Sequence, residues 1–382
     1  MFMTGFECET HLRFATLELV RGEWRTYNYA LNLKGDAPAQ GKMDISVVNI
    51  EENAGQVPVN YVLPPGVTRI IDPGQSQITQ LNEQAMSLKV TDLQSGDARA
   101  VYKNSGMDMR TYKRLQMFVH AEKLIDDKTN LRDGDVSVFL RLGSDSKSNY
   151  YEYEVPLSLT EPGNYSTYNA QDQEAVWPQS NMFDFPLSLF TDLKLERNAK
   201  KRMDNSTVTF QTRYSSYDPD KNQNKVTIVG NPSLSDVRTM MIGVRNNSNA
   251  AKDIVVWVNE MRLTDFDQSG GWAAKANVNL GLSDIATLNI AGHVETVGFG
   301  GIDQSLTERR LDDYYQYNIA TMVELGRFLP EKVKLKAPLF YSITEQRTSP
   351  KYNPLDQDIL LKDALDNAGS KAERDSISDA SI

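Results

Sequence analysis

The segment Trp272-Ala273-Ala274-Lys275-Ala276-Asn277-Val278-Asn279-Leu280-Gly281-Leu282 alternates apolar and polar side chains. Ala274, Ala276, Val278, Leu280 and Leu282 take the even positions, with Lys275, Asn277, Asn279 and Gly281 between them. Successive side chains on a β-strand point to opposite faces, so the pattern predicts a strand with one apolar and one wet face. Working outward, Ala286, Leu288, Ile290 and Val294 repeat it against Thr287, Asn289, His293 and Glu295. It returns in Tyr315, Tyr317, Ile319, Val323 and Leu325 against Gln316, Asn318 and Glu324. It returns again in Val333, Leu335, Ala337, Leu339, Tyr341 and Ile343 against Lys332, Lys334 and Lys336. Residues 270–343 therefore read as two consecutive hairpins.

Strand length bears on what kind of sheet this is. Each run covers about 11 residues, which at roughly 3.3 Å per residue and a tilt near 45° spans about 25 Å, the height of the apolar band of an outer-membrane barrel. Soluble strands usually run to about 5 or 6 residues. The connections at 283–284 and 326–331 read as short, whereas 296–312 and everything after Thr344 read as long, an asymmetry typical of such barrels. Trp272, Tyr314, Tyr315, Phe328 and Tyr341 fall near predicted strand ends, where aromatic girdles sit. The membrane reading makes Ala274, Ala276, Val278, Leu280, Leu288, Ile290, Ile319, Val323, Val333, Leu335 and Leu339 lipid-facing. It makes Lys275, Asn277, Asn279, Asn289, Glu295, Gln316, Asn318, Glu324, Lys332, Lys334 and Lys336 lumen-facing. A soluble meander with its apolar face packed inward would carry the same alternation.

Composition narrows the classes. A chain of 382 residues accommodates two or three domains, and 40% hydrophobic with 24% charged residues is ordinary globular material. The net charge of -10, from 51 acidic against 41 basic residues, comes with no strongly basic run and argues against a nucleic-acid partner. No run of about 20 apolar residues is present, so a transmembrane helix is not expected, and a barrel is the other way to span a bilayer. The N-terminus shows neither a basic n-region nor an apolar h-region. Four barrel-like strands are fewer than the roughly eight that close a small barrel. Both points predict an internal part of something longer. Cys8 is the sole cysteine, so no intrachain disulfide is expected.

Four regions follow from the pattern. Residues 1–43 read as strands at 12–20 and 24–31 of a preceding β domain plus a linker at 35–41. Residues 44–266 carry about ten short strands between turn-rich loops: 46–50, 87–90, 98–102, 112–122, 136–142, 150–157, 207–211, 226–229, 240–244 and 254–263. This spacing predicts an antiparallel, jelly-roll-like sandwich, so the fold class is all-β. Within it, 186–195 reads as a short covering helix and 164–181 as an exposed polar loop. Residues 267–345 hold the hairpins. Residues 346–382 read as a turn at 352–356, a helix-like stretch through Ile359, Leu360, Leu361, Ala364 and Leu365, and a mobile end from Gly369.

No motif in the sequence marks a catalytic residue, metal ligand or cofactor site. His11, His120 and His293 lie on different predicted strands without an HExxH or CxxC companion. His120 reads as a core residue, and His293 falls on the wet face of its strand. There is no GxSxG elbow or P-loop, and the glycines at 298, 300 and 301 lie between hairpins rather than between a strand and a helix. Asp126, Asp127, Asp133 and Asp135 lack the EF-hand pattern and read as solvated turns. Trp177, Tyr150, Tyr151 and Tyr153 would form a sugar-stacking surface if they shared a face; core packing accounts for them equally. A secreted carbohydrate-binding sandwich is therefore the alternative function, and a hydrolase would need a converging carboxylate pair.

Three strings carry a resemblance. They are Arg110-Thr111-Tyr112-Lys113-Arg114-Leu115-Gln116-Met117-Phe118-Val119-His120-Ala121-Glu122, Val258-Asn259-Glu260-Met261-Arg262-Leu263-Thr264-Asp265-Phe266 and Pro350-Lys351-Tyr352-Asn353-Pro354-Leu355-Asp356. With residues 19–25 and 47–53, they resemble the SprA/Sov family, the outer-membrane translocon of the Bacteroidetes type IX secretion system, linked to gliding motility. The resemblance implies a very large barrel that conducts folded cargo proteins to the cell surface. It further implies sandwich-like domains between barrel segments, and as partners outer-membrane lipids, secreted cargo, a PorV-type shuttle protein and a periplasmic plug protein.

Overall fold

The computed structural model describes residues 24–29, 31, 41–69, 71, 80–305 and 308–381. The predicted strand at 12–20, the linker at 35–40, Cys8 and His11 lie outside them.

The strongest sequence signal sets the sandwich. Alternation in β5 (Tyr112–Glu122) sends Leu115, Met117, Val119 and Ala121 into the main core. Around it lie β1 (Arg25–Tyr27), β2 (Lys42–Asn49), β3 (Gln84–Leu93), β4 (Ala98–Met107), β6 (Val136–Gly143), β7 (Tyr150–Pro156) and β8 (Phe183–Pro186). β9 (Tyr214–Tyr217), β10 (Lys225–Val229), β11 (Val237–Asn246) and β12 (Lys252–Phe266) complete it. One sheet runs β1-β4-β11-β6-β7-β10-β9 and the other β2-β3-β12-β5-β8. Within these, β3-β12-β5-β8 faces β4-β11-β6-β7, so the chain crosses between the sheets at each step except the β6–β7 hairpin, the two-Greek-key order of a jelly roll. Inward residues of both sheets share one core, including Val138, Leu140, Tyr151, Tyr153, Ile242, Val244, Ile254 and Val256. Phe190 and Leu193, from the helical stretch after β8, join them.

Four expectations change here. No strand forms at 207–211. Residues 164–181 are not simply an exposed loop: α1 (Ala170–Val176) forms, and Val176 and Trp177 are buried against Trp257, Tyr61 and Phe118. The covering helix, α2 (Ser188–Lys201), is longer than predicted. Tyr150, Tyr151, Tyr153 and Trp177 are all buried, so they are packing residues rather than a stacking surface. Tyr153 stacks on Phe185 with centroids 3.9 Å apart, and Tyr151 on Phe190 at 4.9 Å.

Beyond β12 the chain leaves the sandwich as four long strands: β13 (Ala273–Leu282), β14 (Ala286–Glu295), β15 (Asp312–Glu324) and β16 (Pro338–Pro350). They pair in sequence order as an antiparallel meander. The chain then returns through the β17 (Tyr352–Asn353) and β18 (Asp356–Leu360) hairpin to α3 (Leu361–Asp366) and α4 (Lys371–Ala380). α4 corrects the expectation of a mobile end: Ser370 accepts a hydrogen bond from the Glu373 N–H as its N-cap, and Ile377 packs with Ile359, Ala364 and Leu195 of α2. Among the described residues, no helix is long and apolar enough to cross a membrane.

Candidate membrane-spanning sheet

Register decides whether four amphipathic strands make an amphipathic sheet, because residues directly opposite one another share a face. Val278 opposes Ile290, Leu280 opposes Leu288, and Ala276 opposes Gly292. Ile290 in turn opposes Ile319, and Ala286 opposes Val323. Ile319 opposes Ile343 and Val323 opposes Leu339. Ala274, Ala276, Val278, Leu280, Leu288, Ile290, Ile319, Val323 and Leu339 therefore occupy one continuous face, with Leu282, Tyr341 and Ile343. Lys275, Asn277, Asn279, Asn289, Glu295, Gln316, Asn318 and Glu324 occupy the other, since Lys275 opposes His293, which opposes Gln316, and Asn289 opposes Asn279.

Among the described residues neither face is covered. Every residue of β13 is exposed, and Leu280 and Leu339 are 47% and 51% exposed. Among the described residues β13 pairs only with β14, and β16 only with β15, which leaves two long edges open. The polar face is internally bonded: Asn318 Nδ2 donates to Thr344 Oγ1 at 2.7 Å, and His293 Nε2 lies 3.1 Å from Glu295 Oε1. Arg310 reaches the other oxygen of Glu295 at 2.7 Å. Near the sandwich the apolar face ends in a mixed row in which Tyr315 opposes Arg347 and the Tyr317 hydroxyl donates to Glu345.

The fourth strand departs from the prediction. Val333, Leu335, Lys332, Lys334 and Lys336 lie in the β15–β16 connection, residues 325–337, and not on a strand. This segment forms two 3-10 turns, Leu325–Phe328 and Glu331–Val333, and Lys334 takes a positive φ of 49°. The connection predicted as short is therefore long, and only the turn at 283–285 is tight. Pro338 is where pairing resumes; it has no N–H to give a ladder and tolerates the first position of a strand.

Two neck contacts fix the sheet to the sandwich. The Asp267 N–H donates to Thr111 O at 2.7 Å, and Lys351, just past β16, reaches Asp267 at 2.9 Å. The Lys351 ammonium holds the Asp267 carboxyl down at about 2, helped by hydrogen bonds from Ser269 and against partial burial. Beyond the neck lies a cluster that sequence patterning missed. The Lys194 ammonium of α2, fully buried, donates to Asp356 at 2.5 Å, Asp358 at 2.9 Å and Pro232 O at 2.8 Å. The Tyr151 hydroxyl donates to Asp358 at 2.6 Å. Burial pushes the Asp356 carboxyl up to about 6: Lys194 opposes the shift, but two carboxylates share that one ammonium.

The remaining polar candidates are structural in their contacts. His120 is buried against Trp257, 4.0 Å between ring centroids; its Nδ1 lies 2.7 Å from Val176 O and its Nε2 3.8 Å from Glu122. Asp127 accepts from Thr129 and Leu131, Asp133 from the Leu159 N–H, and Asp135 meets Lys252 at 2.7 Å. These carboxylates brace turns. Glu152, buried in the outer layer of the larger sheet, would be raised by burial, yet Arg141, Arg245 and Arg213 around it hold its carboxyl well below the usual range.

Fold and sheet together define an all-β protein whose jelly-roll sandwich carries a long-stranded, amphipathic, open-edged meander. A family model described as "Motility related/secretion protein", SprA_N, matches residues 1–365, and the chain belongs to this SprA family. Membership sets it among secretion- and motility-related proteins of the cell envelope or surface. No curated protein matches the chain. Among solved structures, the family 11 carbohydrate-binding module of the cellulosomal cellulase Lic26A-Cel5E of Clostridium thermocellum is similar at 9% identity and a TM-score of 0.27, covering 64% of this chain and 90% of that one.

Proposed function

We propose that this chain contributes four adjacent strands to a large outer-membrane β-barrel translocon, which conducts folded cargo proteins to the cell surface in type IX secretion and gliding motility. The observation that carries the reading is the register-matched apolar face of β13–β16, left bare beside a sandwich that has its own closed core. A soluble meander would bury that face. Strands of 10 and 13 residues, tilted near 45°, cross roughly 23 to 30 Å. The open edges of β13 and β16 are where neighbouring barrel strands would pair.

In this reading Ala274, Ala276, Val278, Leu280, Leu288, Ile290, Ile319, Val323 and Leu339 on the apolar face contact lipid, and Lys275, Asn277, Asn279, Asn289, Glu295, Gln316, Asn318 and Glu324 line the conduit. Transport is passive, with no covalent step. Selectivity rests on docking of partners, which family resemblance makes a PorV-type shuttle and a periplasmic plug.

Single cysteines placed one at a time from 274 to 280 in a Cys8→Ser background test it in outer membranes of expressing cells. A water-soluble maleimide is expected to label 275, 277 and 279 and to spare 274, 276, 278 and 280. Uniform labelling, or recovery of the protein in the soluble fraction, would discard the barrel assignment.

A further inference from the structure

The β15–β16 connection lies at the end of the sheet away from the sandwich, beside the tight turn at 283–285. It is both cationic and greasy. Residues 325–337 contain Arg327, Lys332, Lys334 and Lys336 against one acidic residue, Glu331. Arg327 is paired with Asp284, and Glu324 accepts from the Ala337 N–H at 2.6 Å. The three lysines are exposed, and among the described residues none of them has an ion-pair partner. Val333 and Leu335 between them are exposed, as are Leu329 and, at 68%, Phe328 just before them. A cleft of about 700 Å³ runs between the connection and the tight turn, with Arg327, Lys334, Lys336, Asp284 and Glu324 beside Leu335.

This end adjoins the last rows of the bare apolar face, Leu282, Ala286, Val323 and Leu339. Exposed cations continuous with lipid-facing apolar surface complement the headgroup layer of an anionic bilayer. There the ammonium groups meet phosphates while their stems and the neighbouring apolar side chains stay at the acyl boundary. We propose that residues 325–337 anchor the sheet to the bilayer surface by binding phosphate-bearing anionic lipid headgroups through Lys332, Lys334 and Lys336. The proposal rests on the membrane reading above and reassigns these lysines from the lumen to the interface.

The test measures partition of the full chain onto vesicles of phosphatidylcholine and of phosphatidylcholine doped with phosphatidylglycerol. Wild type is expected to prefer the doped vesicles, with a preference that weakens as salt rises. The triple variant K332Q/K334Q/K336Q is expected to lose roughly 100-fold on doped vesicles, at about fivefold per lysine, and nothing on neutral ones. The K332R/K334R/K336R variant should keep binding. An unchanged unfolding midpoint of the sandwich shows that the variants fold. Equal partition of wild type and the glutamine variant onto doped vesicles would overturn the anchor. Strong binding to neutral vesicles without an anionic preference removes the anchor and leaves the membrane reading standing. No binding to either vesicle removes both.

Discussion

The ammonium of Lys194 sits in a fully buried position with two carboxylates and one carbonyl as its partners. Asp356 and Asp358 arrive from the far side of the four-strand excursion, so one side chain on α2 holds the returning chain. Removing one member of a buried ion pair leaves charge without compensation, which typically costs about 3–5 kcal/mol. Lys194→Met is expected to destabilise by that amount in urea unfolding and to make residues 351–380 cleavable by protease. A loss below about 1 kcal/mol would show that water reaches the site. Packing sets a second limit at Gly243 on β11. A Cβ there would lie 2.3 Å from Phe139 Cζ and 2.8 Å from Ala100 Cβ, and Phe139 is itself held beneath Arg245, whose guanidinium carbon lies 4.5 Å from the ring centroid. Gly243→Ala should cost about 1–3 kcal/mol through overpacking, read from the unfolding midpoint; a neutral result would mean that the Phe139 ring can turn aside.

At the level of elements, pH dependence follows from the β18 clasp. Asp356 has a folded value of about 6 against an ordinary 3.8, because burial outweighs Lys194 and the neighbouring Asp358 carboxylate adds to the rise. Tyr151 and Arg197 are the other titratable groups around the pair. The folded chain thus keeps a proton that the unfolded chain has released between 3.8 and about 6, so this contribution to stability falls as pH rises through that window. Unfolding titrations of wild type and Asp356→Asn should diverge there, the variant having the flatter profile; parallel profiles would exclude Asp356 as the source. The clasp was invisible in the sequence because Lys194, Asp356 and Asp358 are brought together only by the fold. Amphipathic strands were legible: β5 and the faces of β13, β14 and β15 follow from period-two alternation alone. The same period misled at Val333 to Ala337, where alternating lysines and apolar residues continue through a connection that no ladder pairs. β9 and α1 were missed because Tyr-Ser-Ser-Tyr and a Gln- and Asp-rich turn carry almost no apolar signal, and burial of Val176 and Trp177 decides α1. The tail from Gly369 was misread as mobile because its charged, serine-rich composition hid the Ser370 and Glu373 cap that starts α4.

Across the whole molecule, the sheet is an excursion that starts and ends at one place. Asp267 and Lys351 meet at 2.9 Å, and the sandwich core is drawn from residues before β13. Stability of the sandwich should therefore be nearly independent of the sheet, whereas solubility should not be. Two open edges and a bare apolar face are the features that drive strand-to-strand association in water. A chain in which a short Gly-Ser linker replaces residues 268–350 is expected to unfold with a midpoint close to that of the full chain and to run as a monomer without detergent. The full chain is expected to need detergent or lipid to avoid self-association. If the shortened chain instead lost its cooperative transition, the sheet would be a structural partner of the sandwich and its apolar face would need a protein cover. If the full chain stayed monomeric in plain buffer, the bare face would be closed in solution and the membrane assignment of β13–β16 would fall with it.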